Sequence, residues 1–238
     1  MIHSTPTSSA ASLADTARQL LPKSVGVATS DPRIQSGGVL PAEAVAMAAM
    51  TPKRRREFTA GRLAARGAMA EVGHFGHPVP MDADRAPIWP QGLVGSISHT
   101  TSSAIALAAD NSNFRSLAVD LEPDAPLDPA LFEEILTEHE IRFLQTCRTE
   151  MRGRLARLFF SAKECAYKCQ YPLTRALFGF DGFQIQLNQD KQTFDARFTQ
   201  TIGNFAKDHI LGGRYSIRNG LILTTMALAA TGTCLKGE

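Results

Sequence analysis

The sequence is poor in the residues that build disulfide frameworks, zinc sites and membrane spans. Its four cysteines include no CxxC pair, so neither a disulfide scaffold nor a cysteine-based zinc site is expected. No run approaches roughly 18 uninterrupted apolar residues, which predicts no transmembrane helix. The N-terminus also lacks the basic region and apolar stretch of a secretory signal. We therefore expect a soluble, cytoplasmic protein with free thiols.

The chain also carries little net charge. Its 25 lysines and arginines nearly balance 23 acids, which leaves a formal charge of +2. This balance demands neither a nucleic acid nor a membrane as a partner, so any anion site must come from local clustering. Apolar residues are plentiful: they make up 44% of 238 residues, enough for one large domain or two small ones.

The first half of the chain alternates helix and strand signals. Thr51 and Pro52 have the chemistry of an N-cap and a first helical residue, and a helix is predicted from there to Gly73. The other predictions for this half are a frayed tail (1–12), a short helix (13–21), a strand (25–28), a helix from 41 and a hairpin (94–98 and 104–109).

The second half begins with an apolar strand at Ser116. Thr137 and Glu140 have the spacing of a capping box, and a long helix is predicted to end before Pro172. Four strands in a meander follow. Since each half has helices followed by strands, we predict an α/β (α+β) chain with an N-terminal lobe at 13–115 and a C-terminal lobe at 116–238.

Two carboxylates close the strand that begins at Ser116. Alternation places Asp120 and Glu122 on the same face. Adjacent carboxylates repel each other unless a cation lies between them, and a divalent ion with oxygen ligands satisfies this requirement. The alternative is a solvated acidic strand end, which is the commoner fate of such a pair.

The long helix carries charges within an apolar segment, FFSAKECAYK. Glu164 and Lys168 share a face at the i, i+4 spacing and could form a simple intrahelical ion pair. The apolar flanks leave little of this helix for water, so its charges need partners. A metal at Asp120 could partner Glu164, and a phosphate could partner Lys163 and Lys168. The strand ending at Asp120 and this helix must then face each other.

Two further segments could bind anions. Gly95-Ser96-Ile97-Ser98-His99 offers hydroxyl, ring and backbone donors, and the basic helix start at 53–56 is followed by Arg62 and Arg66. Ordinary alternatives are a strand-end serine, a surface histidine and a solvated helix end. The glycine spacing does not fit the strand–elbow–helix motif of a serine hydrolase.

In chain order, the sequence has a basic helix, W-P, G-S-I-S-H, V-D-L-E-P and F-S-A-K-E-C-A-Y-K. This order resembles that of the Sfp-type 4′-phosphopantetheinyl transferases, particularly the subgroup acting in siderophore, polyketide and nonribosomal-peptide synthesis. The resemblance runs from about Lys53 to Phe183. The D-x-E motif followed by K-E-x-x-x-K about 40 residues later is specific in combination.

The resemblance implies a fold and a reaction. The expected fold is a pseudo-dimer of two similar α/β lobes in a monomer. The expected reaction moves the 4′-phosphopantetheine arm of coenzyme A to a serine of an apo acyl, aryl or peptidyl carrier protein and releases 3′,5′-ADP. Mg²⁺ is the implied metal, with Mn²⁺ as an expected substitute. From its residues, the connector Asp124–Leu136 is predicted to belong to the carrier surface, with internal packing of its apolar side chains as the alternative.

The resemblance also implies roles for individual residues. The metal ligands would be Asp120, Glu122 and Glu164. Glu164, directly or through a metal-bound water, would be the base, Lys168 would assist the leaving ADP, and Asp120 would complete the catalytic set. The implied coenzyme A contacts are Arg54, Arg62, Arg85, Ser98, His99, Lys163 and Lys168.

Two other functions use the same residues. A metal-dependent phosphohydrolase would release phosphate or ADP from coenzyme A without an acceptor protein. An anion- or nucleic-acid-binding module built on Lys53–Arg66 would bind oligonucleotides with a steep salt dependence. Neither explains why the basic helix and the acids occur together with G-S-I-S-H.

Overall fold

The computed structural model describes residues 8–34 and 37–230, which form two compact units divided between Asn113 and Phe114. Within these residues no helix is long and apolar enough to cross a membrane. The elements are α1 (Ser8–Leu20), β1 (Gly26–Ser30), α2 (Pro41–Ala44), α3 (Pro52–Glu71), β2 (Leu93–His99), β3 (Ala104–Asp110), β4 (Phe114–Pro123), α4 (Phe132–Ile135), α5 (Glu138–Thr146), α6 (Thr149–Thr174), β5 (Phe183–Asn188), β6 (Thr193–Phe198), β7 (Ile210–Arg218) and β8 (Leu221–Ala229), with 3₁₀ turns at Val45–Met47, Pro129–Leu131 and Phe180–Gly182.

The first unit is built around a three-stranded antiparallel sheet with the strand order β1-β3-β2. Helix α3 packs against all three strands, and many of its buried side chains are alanines. These small side chains let helix and sheet approach closely. A Cβ atom added to Gly26 of β1 would lie 2.2 Å from the carbonyl oxygen of Ala68, so glycine is required at this contact. The predicted hairpin is confirmed as β2 and β3.

The predicted starts of α1 and α3 compare differently with the structure. The predicted N-cap of α3 is confirmed, because the Thr51 hydroxyl accepts a hydrogen bond from the backbone N–H of Arg54 at 3.3 Å. Helix α1 was predicted over 13–21 but begins at Ser8, where Ala10 and Ala11 have high helix propensity. Residues 1–7 of the predicted tail lie outside the described residues.

The second unit is a five-stranded antiparallel sheet with the order β4-β8-β7-β6-β5. The predicted four-strand meander is confirmed, and β4 adds to it by pairing with β8. Helix α6 packs on β4 and β8 and supplies Phe159, Ala162, Cys165 and Ala166 to the core. The mixed α/β class is thus confirmed with two antiparallel sheets, whereas the pseudo-dimer stays a prediction.

The predicted end of α6 before Pro172 is wrong. The helix continues through Pro172 to Thr174. A proline in the last turn removes only one N–H from the helical ladder. The backbone N–H of Arg175 still donates to the Tyr171 carbonyl at 2.8 Å, and Arg175 ends the helix in the left-handed conformation at φ 55°.

Candidate active site

One stripe of α6 carries four polar side chains toward β4. Arg157, Ser161, Glu164 and Lys168 follow the 4-3-4 spacing that keeps residues on one helix face. Lys168 and Ser161 both donate hydrogen bonds to Asp120 of β4. This confirms the prediction that the strand ending at Asp120 faces the helix that carries Glu164.

Both carboxylate oxygens of Asp120 are held in place. Lys168 Nζ donates to Oδ1 at 2.6 Å, and the Ser161 hydroxyl donates to Oδ2 at 2.8 Å. Ser161 is in turn 2.9 Å from the hydroxyl of Thr224, which lies opposite Asp120 on β8. Because Asp120 is only 3% exposed, its charge depends on these partners rather than on water.

Glu122 is the second acid of β4, and its partner is Arg157. Arg157 Nη1 donates to Glu122 Oε2 at 3.1 Å, while Nη2 donates to the Pro126 carbonyl at 3.3 Å. The pKa of Glu122 is raised to about 7, mainly by burial and then by the nearby charge of Asp120, while Arg157 and Lys168 oppose the shift. The surrounding charges therefore do not fully compensate this carboxyl.

Glu164 and Lys168 complete this site. Burial raises the pKa of Glu164, and Asp120 adds to the shift while Lys168 opposes it. Burial alone would lower the pKa of Lys168, but its ion pair and hydrogen bond with Asp120 outweigh burial and the pKa is raised. Lys168 therefore keeps its positive charge at neutral pH.

The acids have the chemistry of a magnesium site, because carboxylate oxygens are the protein ligands that Mg²⁺ prefers. The raised pKa values of Glu122 and Glu164 also indicate that these two carboxyls have less compensating charge around them than they need. In the structure, however, Asp120 and Glu122 are paired with Lys168 and Arg157. No three His, Cys, Asp or Glu side chains in residues 8–34 and 37–230 are gathered into a metal-binding group.

A small cavity of about 200 Å³ lies beside Glu164. It is lined mainly by aromatic side chains from α6 and from the segment before β5: Tyr167, Phe178, Phe180 and Phe183. Its lining is thus largely apolar, with the Glu164 carboxylate among the lining groups.

The structure does not support the predicted diphosphate contact of Lys163. Its side chain is 1% exposed, and Nζ lies 2.9 Å from the Glu140 carboxylate. Nζ also donates to the carbonyls of Ile135 at 2.8 Å and Phe180 at 3.0 Å. These three acceptors match the three ammonium protons, so no donor is left for a phosphate. Lys163 and Glu164 are neighbours in sequence but point about 100° apart around the helix.

In the first unit, the start of α3 meets the end of β2. Arg54 Nη1 is in hydrogen-bond contact with Nε2 of His99. Glu57 lies near both, with Oε2 3.8 Å from Arg54 Nη1 and 3.9 Å from His99 Nδ1. The Arg54 side chain is 45% exposed, so a ligand can reach its guanidinium beside His99.

Arg62 lies two turns further along α3 and is 6% exposed. Its guanidinium is 4.2 Å from the ring centroid of Phe58. Burial lowers its pKa to about 10, an effect that Glu43 opposes and that Arg54 and Arg66 strengthen. Within the described part of the chain, its Nε has no hydrogen-bond acceptor. A buried cation with an unmet donor is suited to an anionic ligand.

Ser98 and Arg85 are placed differently from Arg54. Ser98 is 6% exposed, and strand alternation turns its side chain to the face opposite that of His99. Arg85 lies in an exposed turn, with a left-handed backbone at φ 71° and its N–H donating to the Asp82 carbonyl at 3.0 Å. The structure therefore groups Arg54 with His99, whereas Ser98 is buried and Arg85 lies in an exposed turn.

The connector predicted as a carrier surface exposes most of its residues but is anchored by buried leucine and isoleucine side chains. Leu127 and Ile135 are 2% and 5% exposed and belong to the core. Leu131 is 39% exposed. Some apolar residues of this connector thus anchor it, whereas most of its other residues are exposed.

Several residues of the site were missed in the sequence. Arg157 and Ser161 could have been found by extending the Glu164–Lys168 face back by one heptad. Glu57 could have been found as the residue one turn after Arg54. Thr224 had no local signal, because its place follows from the pairing of β4 with β8.

Two family models match the chain in tandem. The 4′-phosphopantetheinyl transferase N-terminal domain matches residues 41–109, and the 4′-phosphopantetheinyl transferase superfamily model matches residues 116–218. The first match contains α3 and the β2–β3 hairpin, and the second contains β4 and α6. The class defined by fold and site is thus that of transferases.

Curated relatives agree with this class. The chain is 35% identical over 199 residues to the 4′-phosphopantetheinyl transferase Npt of Nocardia iowensis. The aligned region covers 79% of this chain and 89% of that relative. It is 34% identical over 199 residues to the 4′-phosphopantetheinyl transferase Svp of Streptomyces mobaraensis (81% and 79%). Enterobactin synthase component D of Salmonella typhi is 38% identical over 135 residues (56% and 55%). The chain belongs to the 4′-phosphopantetheinyl transferase superfamily.

Proposed function

We propose that this transferase moves the 4′-phosphopantetheine arm of coenzyme A to a serine of an apo carrier protein and releases 3′,5′-ADP in a Mg²⁺-dependent reaction. The observation that carries the proposal is the packing of Asp120 and Glu122 on β4 against the α6 face with Glu164 and Lys168. This arrangement offers carboxylates for a divalent cation and an ammonium for phosphate.

Asp120, Glu122 and Glu164 are the residues that would hold the metal. Mg²⁺ bound there would supply positive charge to the diphosphate as negative charge develops on the leaving ADP. Mn²⁺, which takes similar oxygen ligands, is expected to substitute. Ser161 fixes Asp120 through the hydrogen bond to Oδ2, so this acid is already oriented before any ligand arrives.

Glu164 is the proposed base for the carrier serine. A general base works best when its pKa lies near the pH at which the enzyme acts, and burial shifts the pKa of Glu164 upward in that direction. Lys168 stays protonated next to Asp120. We assign it to the diphosphate, where it offsets charge on the departing ADP. The cavity beside Glu164 provides space for the pantetheine arm.

The nucleotide part of coenzyme A is assigned to the first unit. Arg62 offers a buried cation whose Nε has no acceptor in the described part of the chain, and Arg54 offers a more exposed one beside His99. We keep Ser98 and Arg85 in this proposal as contacts to the phosphates and the adenine region. Such cations bind phosphate strongly because both charge and hydrogen bonds contribute.

The acceptor is proposed to be a carrier protein or carrier domain of the acyl, aryl or peptidyl type. One relative is named as a component of enterobactin synthase, which favours carrier domains of siderophore, polyketide or peptide synthases. Because coenzyme A is a cytoplasmic co-substrate and one chain carries both sets of residues, we propose a cytoplasmic monomer.

Mass spectrometry of apo carrier proteins incubated with coenzyme A and Mg²⁺ tests the transfer. We expect a gain of one phosphopantetheine arm on at least one member of a panel of acyl, aryl and peptidyl carriers. Asp120→Asn and Glu164→Gln should abolish this gain, whereas Asp195→Asn on an exposed part of β6 should not. Release of ADP without an acceptor would instead identify a phosphohydrolase. No mass gain on any carrier would contradict the proposal.

A further inference from the structure

Arg157 contacts the candidate site but has no part in the steps above. Its Nη1 is 3.1 Å from Glu122 Oε2, and its Nη2 donates to the carbonyl of Pro126. The two side chains are only 22% and 19% exposed. Because both side chains are largely removed from solvent, their attraction is screened less than that of a surface pair.

This contact occupies a carboxylate that a metal would use. Asp120 is paired with Lys168 and Glu122 with Arg157, so two of the three proposed metal ligands already have a cation. When all three carboxylates are ionised, they and the two cations leave one net negative charge. A divalent ion that arrives alone meets two positive charges at close range, and it must compete with them for the same oxygens.

A diphosphate changes this balance, because it brings negative charge to the same place. Its oxygens can compensate both cations, which lowers the cost of placing a divalent ion beside them. We propose that Arg157 is a positioning residue that makes metal binding depend on coenzyme A. It holds Glu122 when the site is without ligand. Its positive charge then disfavours metal binding until the oxygens of a diphosphate compensate that charge. This inference rests on the proposed metal site and substrate.

Mn²⁺ titration of the full chain, monitored by electron paramagnetic resonance, measures the coupling between the two ligands directly. The titration is done with and without coenzyme A, and no acceptor protein is present. In the wild type we expect coenzyme A to tighten Mn²⁺ binding by about tenfold or more, within the range of about 5- to 150-fold typical of linked sites. By reciprocity, Mn²⁺ must tighten coenzyme A binding by the same factor.

Substitutions separate the charge of Arg157 from its packing. Arg157→Gln should tighten Mn²⁺ binding in the absence of coenzyme A by about tenfold and reduce the coupling accordingly. Arg157→Lys keeps the charge and should behave like the wild type. Arg154→Gln is the matched control, because Arg154 lies on the same helix but pairs with Asp124.

Three outcomes overturn the inference. The first is Arg157→Gln binding Mn²⁺ alone no more tightly than the wild type, which would leave Arg157 a structural residue. The second is wild-type protein binding Mn²⁺ equally well with and without coenzyme A, a result that needs no variant to fold. The third is no Mn²⁺ binding even with coenzyme A, and it would also overturn the metal site of the proposed function. The first two outcomes do not contradict the proposed metal site.

Discussion

Replacing Lys163 by methionine tests whether this lysine is structural or binds substrate. Its ammonium lies among three oxygens: the Glu140 carboxylate and the carbonyls of Ile135 and Phe180. Glu140 also accepts the backbone N–H groups of Thr137 and Ile185, both at 2.7 Å. The Lys163→Met variant keeps most of the apolar stem and removes only the charge and its donors.

The expected loss follows from what the substitution leaves behind. Lys163 and Glu140 are each 1% exposed, and removing one partner of such a pair costs about 3–5 kcal/mol because the other charge stays buried. Two backbone hydrogen bonds remain on Glu140 and soften this cost, so we expect about 3 kcal/mol in the free energy of unfolding. That is a large part of a typical stability of roughly 5–15 kcal/mol. A second change, Glu140→Gln, should recover some of it by removing the stranded charge.

Urea unfolding at low temperature measures this loss, with Lys53→Met as the exposed control. Lys53 is 67% exposed, with Nζ 3.9 Å from Glu57, and its loss should stay within about 0.5 kcal/mol. The folded Lys163→Met enzyme should keep the wild-type KM for coenzyme A. A KM raised tenfold, together with a stability loss below about 1 kcal/mol, would refute the structural role and restore the phosphate contact.

Two further predictions concern the scaffold, and urea unfolding checks both. Gly95→Ala should lower the free energy of unfolding by about 1–3 kcal/mol, because a Cβ there would lie 2.4 Å from the Leu107 carbonyl oxygen. Gly212→Ala is the control: the nearest atom to its added Cβ is 4.0 Å away, so its loss should be less than half as large. Equal losses would refute the steric reasoning. Thr137→Ala should lose about 1 kcal/mol, because it removes the capping hydrogen bond at the start of α5; an unchanged midpoint would show that Glu140 alone holds this helix end.

Much of the candidate site could be predicted because the spacing of residues along a strand or helix determines which side chains share a face. The period of two on β4 put Asp120 and Glu122 together, and the i, i+4 spacing on α6 put Glu164 beside Lys168. Both the strand and the helix are confirmed, with the expected contact between them.

The geometry differs from what sequence grouping suggests where direction around an element matters. Lys163 was grouped with Lys168, although adjacent helical residues point about 100° apart. Ser98 was grouped with His99, although successive strand residues face opposite ways. Other features could not be found in the sequence at all. The pairing of Lys163 with Glu140 depends on how α5 packs on α6, and no local pattern specifies which distant acid meets a buried lysine.

Helix α6 presents a constraint for anyone who wishes to build chimaeric enzymes from this chain. One of its faces carries Ser161, Glu164 and Lys168, and a neighbouring face carries Lys163 into a buried ion pair. Inserting or deleting a single residue ahead of these positions would rotate both faces by about 100° at once. Donor and recipient sequences should therefore be joined outside Thr149–Thr174, and α6 should be exchanged together with β4 and α5 as one cassette.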